Sequence, residues 1–381
     1  MTAADVLGLD DDGRDDASAR DGPGGRRREF GRGTLIAGVA ALLAGFAAFI
    51  AWGFPPLYEL FWGATCATVD EWIVCSGFLQ RGFTAGILIG FTAPVVGAYL
   101  VNRQMALIGE ALAHTAFGGV AIGLFVGAAV PSLDYPLVFA LVAAATAALG
   151  MQYVAVRTDG YADVPIAVML TGGFAVGIAV ISYGVVFSAT VESYLFGDIL
   201  FVPFENVQLM VGLTLLVATT VALTHKQLLF ITFDREAARL ARLNVWFYDT
   251  LLVVLTALVV VAAMQILGAI LVAGMLVIPV AAAMQVTRSF DGGLLLSVVF
   301  GQLAVVGGIF ASYVLNIATG ATIILVAVGL YLLTLAVGTV RGVAAGLVVA
   351  ALAAVVAATV APLVGLAVAV LAVVAWLVAR R

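Results

Sequence analysis

Two side chains able to bind a cation stand four residues apart inside an apolar run. They are Glu110 and His114, within NRQMALIGEALAHTAFGGVAIGLFVG (Asn102–Gly127). On a helix, positions i and i+4 share one face, so carboxylate and imidazole lie one above the other. Together they make a hard-to-borderline donor pair of the kind that suits zinc, manganese or ferrous iron. A charged side chain at bilayer depth costs about 2.5–3.5 kcal/mol, so it persists facing protein or water and in most cases serves a function there. Glu110 and His114 are the candidate metal ligands. A buried ion pair that only fixes helix packing is the alternative that the residues leave open.

The element that must position this pair is a membrane-spanning helix. Gly119, Gly123 and Gly127 form two overlapping small-xxx-small steps that project roughly away from Glu110. One side of the helix is therefore suited to close packing and the other carries the ligands. The whole chain has 381 residues, 64% of them hydrophobic and 10% charged, with a mean hydropathy of +1.18. Soluble domains carry roughly 25% charged residues, so this is a polytopic all-α membrane protein. Residues 1–32 hold Asp10, Asp11, Asp12, Asp15 and Asp16 with no apolar period, and read as a disordered polar cytoplasmic tail. Arg26, Arg27 and Arg28 precede an apolar stretch without a convincing cleavage site, which reads as an uncleaved first span.

Apolar runs long enough to cross a hydrocarbon core of about 30 Å then recur. They lie near 83–101, 105–127, 136–156, 165–186, 206–224, 246–265, 267–287, 293–314, 320–339, 342–361 and 363–379, making about twelve spans in all. With the N-terminus inside, Arg103, Arg157, Lys226, Arg235, Arg239, Arg242, Arg288, Arg341, Arg380 and Arg381 fall in the cytoplasm, and the external loops hold only Arg81. A shift by one span would destroy that asymmetry. The expected organisation is a tail (1–32), a first span with an external connection (33–82), a core (83–340) and a C-terminal hairpin (341–381). The protein is expected in the plasma membrane.

Several features interrupt the simple spans. Pro94 and Pro279 remove backbone donors and release the carbonyls of Gly90 and Met275, marking helix kinks that either pack or line a pathway. Cys66 and Cys75 lie in the semi-polar connection Phe54–Arg81, where a disulfide and two free thiols are equally open. Ser193–Asn206 (SYLFGDILFVPFEN) is too short and mixed to span and reads as an external re-entrant or interfacial segment, with Asp198 and Glu205 near its mouth.

A second candidate region is His225–Asn244, HKQLLFITFDREAARLARLN, the longest charged stretch after the tail. Asp234 can cap a short helix, and Glu236 sits well in its first turn. Ala237, Ala238 and Leu240 would leave a small apolar surface ringed by Arg235, Arg239 and Arg242. Such a projecting helix fits a cleft in a partner protein; an ordinary solvated connection is the bland alternative.

Six collinear segments carry a family resemblance: FLQRG (Phe78–Gly82), LVNRQMALIGEALAHTAFGGVAIG (Leu100–Gly123), SYLFGDIL (Ser193–Leu200), FDREAA (Phe233–Ala238), LGAILVAGMLVIPVAAA (Leu267–Ala283) and SYVLNIATGATIILVA (Ser312–Ala327). The chain resembles the membrane permease subunit of ABC importers for zinc, manganese and related divalent metals, a type II importer-like bundle. The resemblance covers roughly Phe78 to Leu335. It implies a homodimer served by separate ATP-binding subunits, with an extracytoplasmic solute-binding protein delivering the metal. It also implies that Phe233, Asp234, Arg235, Glu236, Ala237 and Ala238 form the coupling helix seated on the ATPase. Glu110 stands where the family usually has Asp, Arg242 where it commonly has Gly, and Ala318 where it commonly has Pro. The first span and the last two are additions to the common pattern.

An absence agrees with this. A phosphate-cradling loop ends in Gly-Lys-Ser/Thr, and the sole lysine, Lys226, lies between His225 and Gln227. The chain has no standard ATPase site of its own, so it is expected to be a permease rather than an enzyme, with no permanently bound cofactor beyond the transported ion and no nucleic-acid partner. Other classes fit less well. An ion-coupled secondary transporter would need more than one intramembrane carboxylate. A metalloprotease would need HExxH, but Thr115 follows His114. An ABC permease for a metal chelate would have no use for the Glu/His pair.

Overall fold

The structure is a computed structural model that describes residues 49–68, 76–133, 135–157, 163–183, 193–197, 199, 202–315 and 317–338. The chain divides into Met1–Gly45, outside the described residues, and Phe46–Arg381. The expected tail, the expected C-terminal hairpin beyond Gly338, Cys75 and Asp198 also fall outside them.

Among the described residues the regular structure is entirely helical. A π-helical turn (Phe49–Gly53) leads into α1 (Phe54–Thr68), followed by α2 (Gly77–Asn102), α3 (Ile108–Ala129), α4 (Pro136–Arg157) and α5 (Asp163–Ser182). Then come α6 (Phe204–Phe233), α7 (Arg235–Leu240), α8 (Val245–Leu267), α9 (Ala269–Val286), α10 (Phe290–Leu315) and α11 (Thr319–Gly338). Seven of these (α2–α6, α8 and α10) are long and apolar enough to cross a membrane, and α9 and α11 contribute shorter apolar stretches, Leu271–Val286 and Thr319–Leu335. These nine helices coincide with the nine runs expected between residues 83 and 339. The chain is a multi-pass membrane protein.

Two stretches differ from expectation. The connection after residue 54 is helical through Thr68, because Phe54, Tyr58 and Trp62 recur at helical spacing and stack with one another and on Phe204. Cys66 is disulfide-bonded. The helix expected to end near 224 continues to Phe233, because His225, Leu228 and Ile231 prolong its buried face. At 1.5 Å per residue, α6 is about 45 Å long and overruns the hydrocarbon core.

The core lies where α2 packs against α6, α9 and α10, with α8 behind α3 and α9. α3 is wedged between α4 and α5, and its glycines set the spacing. A Cβ on Gly119 would stand 2.6 Å from the Phe139 carbonyl of α4, and one on Gly118 2.6 Å from the Gly173 carbonyl of α5. Gly86 and Gly90 of α2 face Val305 of α10. Gly86, Gly90, Gly119 and Gly123 therefore pack within one protomer. Outer faces of α4 and α5 stay apolar and exposed, at Val138, Val142, Val164, Val168 and Val176, as lipid- or partner-facing helices do.

Pro94 and Pro279 both lie inside continuous helices. Gly301 of α10 rests on Pro94 and on the released carbonyl of Gly90, and Gln302 donates to the Ile87 carbonyl at 2.8 Å. Residues 193–197 form a short helical turn that presses on the α8–α9 junction. There Gly197 (φ +77°) and Gly268 (φ +88°) meet back to back, and a side chain at either would strike the other's backbone. Both need the left-handed region that glycine enters without penalty.

Candidate metal site

The pair's position is set by the turn between α2 and α3. Gln104 takes φ +59°, its N–H bonds the Val101 carbonyl at 3.1 Å, and Met105 N–H bonds that of Leu100 at 2.9 Å. This is a Schellman closure built without glycine. α3 then starts at Ile108, so Glu110 occupies its first turn with a side chain 46% exposed. The sequence puts this carboxylate at bilayer depth. In the structure it lies at the end of a helix, where the backbone dipole stabilises a negative charge.

His114 follows one turn later and is more enclosed, with its side chain 19% exposed and Phe174 of α5 standing edge-on at 5.0 Å between ring centres. Its Nε2 lies 4.0 Å from Glu110 Oε1, beyond hydrogen-bonding distance, while buried Nδ1 has no hydrogen-bond partner. Two donors on one tetrahedral zinc stand about 3.4 Å apart, so a small rotation of Glu110 brings the pair to ligating distance. Among the described residues no group of three His, Cys, Asp or Glu gathers to hold a metal, so one protomer offers two such ligands here.

The stretch Phe233–Ala238 forms the end of α6 and most of α7. Asp234 Oδ1 accepts the Ala237 N–H at 2.8 Å, the cap its sequence position predicts, and Glu236 pairs with Arg239 at 2.9 Å. Ala238 turns inward and is fully buried against Ile231 and Val245, so it anchors α7 rather than forming an outward face. The exposed apolar groups are Phe233 and Leu240. Arg242 adopts φ +60° at the end of α7, with bonds of 3.0 Å from its own N–H to the Arg239 carbonyl and from Leu243 N–H to that of Ala238. The turn keeps the shape glycine would give it, although arginine occupies the position.

Sequence reasoning missed two residues beside α7, Arg103 and Asp249. Arg103, taken only as a topology marker, is almost wholly buried. Its Nη1 binds Asp249 Oδ1 at 2.6 Å, Nε binds Thr232 Oγ1 at 2.9 Å and Nη2 binds the Leu228 carbonyl at 3.1 Å. Burial lowers the pKa of this guanidinium from its usual value, and the Asp249 carboxylate opposes that fall. Arg235 of α7 binds the second oxygen of Asp249. A lone aspartate in the apolar run VWFYDTLLVVL was the available signal. The second histidine, His225, is also satisfied. Its Nδ1 shares a 2.6 Å hydrogen bond with Tyr99 Oη, and Nε2 lies 3.5 Å from Asp291 Oδ1.

Known membrane transport proteins are similar to this chain. The manganese transport system membrane protein MntC of Halalkalibacterium halodurans is 32% identical over 266 residues, covering 70% of this chain and 89% of that protein. The manganese import system permease protein ScaB of Streptococcus gordonii is 32% identical over 257 residues, covering 68% and 90%. Among solved structures, PsaBC from Streptococcus pneumoniae in complex with Fab superposes with a TM-score of 0.61 at 33% identity, covering 68% of this chain and 91% of that one. Residues 76–338 match the ABC 3 transport family, and the chain belongs to it.

Proposed function

We propose that the protein is the membrane permease of an ATP-driven importer that passes a divalent metal ion between two copies of the chain. The observation that carries the metal assignment is the Glu110–His114 pair, one turn apart, within reach of a shared ion and with a buried imidazole nitrogen left unpaired. Relatives named for manganese favour that ion, while the donor set also suits zinc and ferrous iron. A cation of this kind takes four to six ligands. Two donors from each protomer of a homodimer, completed by water, meet that demand and let the ion leave again.

Energy enters through a separate ATP-binding subunit docked on α7, where Glu236 and Leu240 are exposed beside Phe233 at the end of α6. An extracytoplasmic binding protein supplies the ion at the opposite end. The arginine asymmetry supports a cytoplasmic N-terminus and a cytoplasmic α7. The test is uptake of Mn(II) per correctly inserted molecule. Replacing His114 by Ala should abolish uptake while insertion and dimer assembly persist, and Glu110→Gln should come close to it by removing only the charge. Wild-type uptake by well-inserted His114→Ala protein would end the metal-site assignment.

A further inference from the structure

α7 is a helix of six residues, too short to hold itself, so its attachment decides what its movement can reach. Its inner side is pinned at two points. Ala238 sits in a small apolar cluster with Ile231 and Val245, and Arg235, at the other end of the helix, is bound to Asp249 of α8. Asp249 does not stop there. Its other oxygen is held by Arg103, which also grips the end of α6 through Thr232 and Leu228. Arg103 is the capping residue of α2, and the Schellman turn that follows it leads within seven residues to Glu110.

One carboxylate thus joins α7 to the turn that sets the ligand helix. Each oxygen of Asp249 has a single arginine partner, and each arginine belongs to a different element. The link is stiff because the Arg103 side chain is 4% exposed and all three of its guanidinium nitrogens are engaged. A push on the exposed end, Arg235, is therefore delivered to α2 and α3 rather than lost in solvent.

We propose that Arg235–Asp249–Arg103 is the relay that transmits movement of the ATPase-docked α7 to the α2–α3 turn and so to the Glu110–His114 pair. Arg103, Asp249 and Arg235 are positioning residues in this scheme and touch no ion. The proposal rests on α7 being the ATPase-docking helix. It predicts that breaking the relay leaves ATP being hydrolysed without ions being moved.

The experiment uses the full permease with its ATPase in vesicles and measures Mn(II) imported per ATP hydrolysed, alongside ATPase co-purification. Asp249→Asn and Arg235→Gln should each lower that ratio about tenfold, and the double variant should be no worse than the more severe single one, because both cut one chain. An unchanged ratio in either variant overturns the relay, including the case where the variants merely reduce the amount of protein. Multiplicative losses in the double variant overturn it as well, since they mean independent roles. Loss of ATPase co-purification in Arg235→Gln makes that residue a docking contact and also overturns it. If Asp249→Asn fails to insert, Arg235→Gln decides alone, because the buried Arg103–Asp249 pair is intact there. The docking reading is tested separately by Phe233→Ala and Leu240→Asp on the outer face. Full ATPase co-purification in both would count against docking without touching the ratio measured for the relay.

Discussion

Two polar constellations lie close in sequence yet are built on opposite plans. Around Arg103 each guanidinium nitrogen has a partner, both oxygens of Asp249 are taken, and the pair is nearly sealed from solvent. Around His114 one nitrogen has no partner, the other stands 4.0 Å from its carboxylate, and the carboxylate is half exposed. Low-dielectric surroundings make an unpaired polar group costly and a fully paired one rigid. The first arrangement is what a joint needs. The second is left open, as the proposed passage of a cation requires.

The largest expected effect strikes the joint. Asp249→Leu strands a buried guanidinium, whose uncompensated charge costs about 3–5 kcal/mol. Thermal unfolding of the purified protein in detergent should show the loss, together with reduced membrane levels. A stable Asp249→Leu protein would break the contrast, because Arg103 would then not depend on its partner.

His114→Ala should act the other way round. Uptake should fall at least about a hundredfold, or about 2.7 kcal/mol in apparent barrier, while thermal stability changes by less than about 1 kcal/mol because no hydrogen bond of the ring is lost. Should stability collapse and uptake per molecule persist, the pair is a packing bridge after all.

Thr232→Val sharpens the comparison by removing one acceptor from Arg103 while keeping the side-chain shape. A hydrogen bond to a charged group contributes about 1.5–3 kcal/mol, so a loss near the lower bound is expected in the unfolding midpoint. No measurable change would mean that Arg103 is over-provided with partners. The smallest effect concerns the turns beside the joint. Gln104 and Arg242 hold φ of +59° and +60° without being glycine. Replacing either by Gly should stabilise by about 0.5–1 kcal/mol in the same assay. Destabilisation would instead mean that these side chains make contacts worth more than the backbone strain.

The local parts of this design were open to sequence reasoning. The i, i+4 placement of Glu110 and His114, the cap by Asp234 and the positions of nine apolar helices each depend on neighbours within a few residues or on hydropathy along one segment. The inward turn of Ala238 was not legible, because a six-residue helix can present any face until α6 and α8 are placed against it. Nor was the helical continuation through His225, whose polar side chain reads as a loop until Tyr99 and Asp291 are seen to satisfy it.

Hydropathy along the chain fixes the solvent of this protein and the periodicity that goes with it. Its apolar runs must be helical to satisfy their own backbone in lipid, and two polar residues spaced i, i+4 on one such run must share a face. Which charges meet is settled only once the helices have packed. Arg103 and Asp249 are 146 residues apart, and Tyr99 and His225 are 126 apart. Nothing local in either stretch names its partner. Their pairing follows from helix packing, where close glycine contacts fix which helix ends come together, and the buried charges are then neutralised by whichever groups that packing brings within reach.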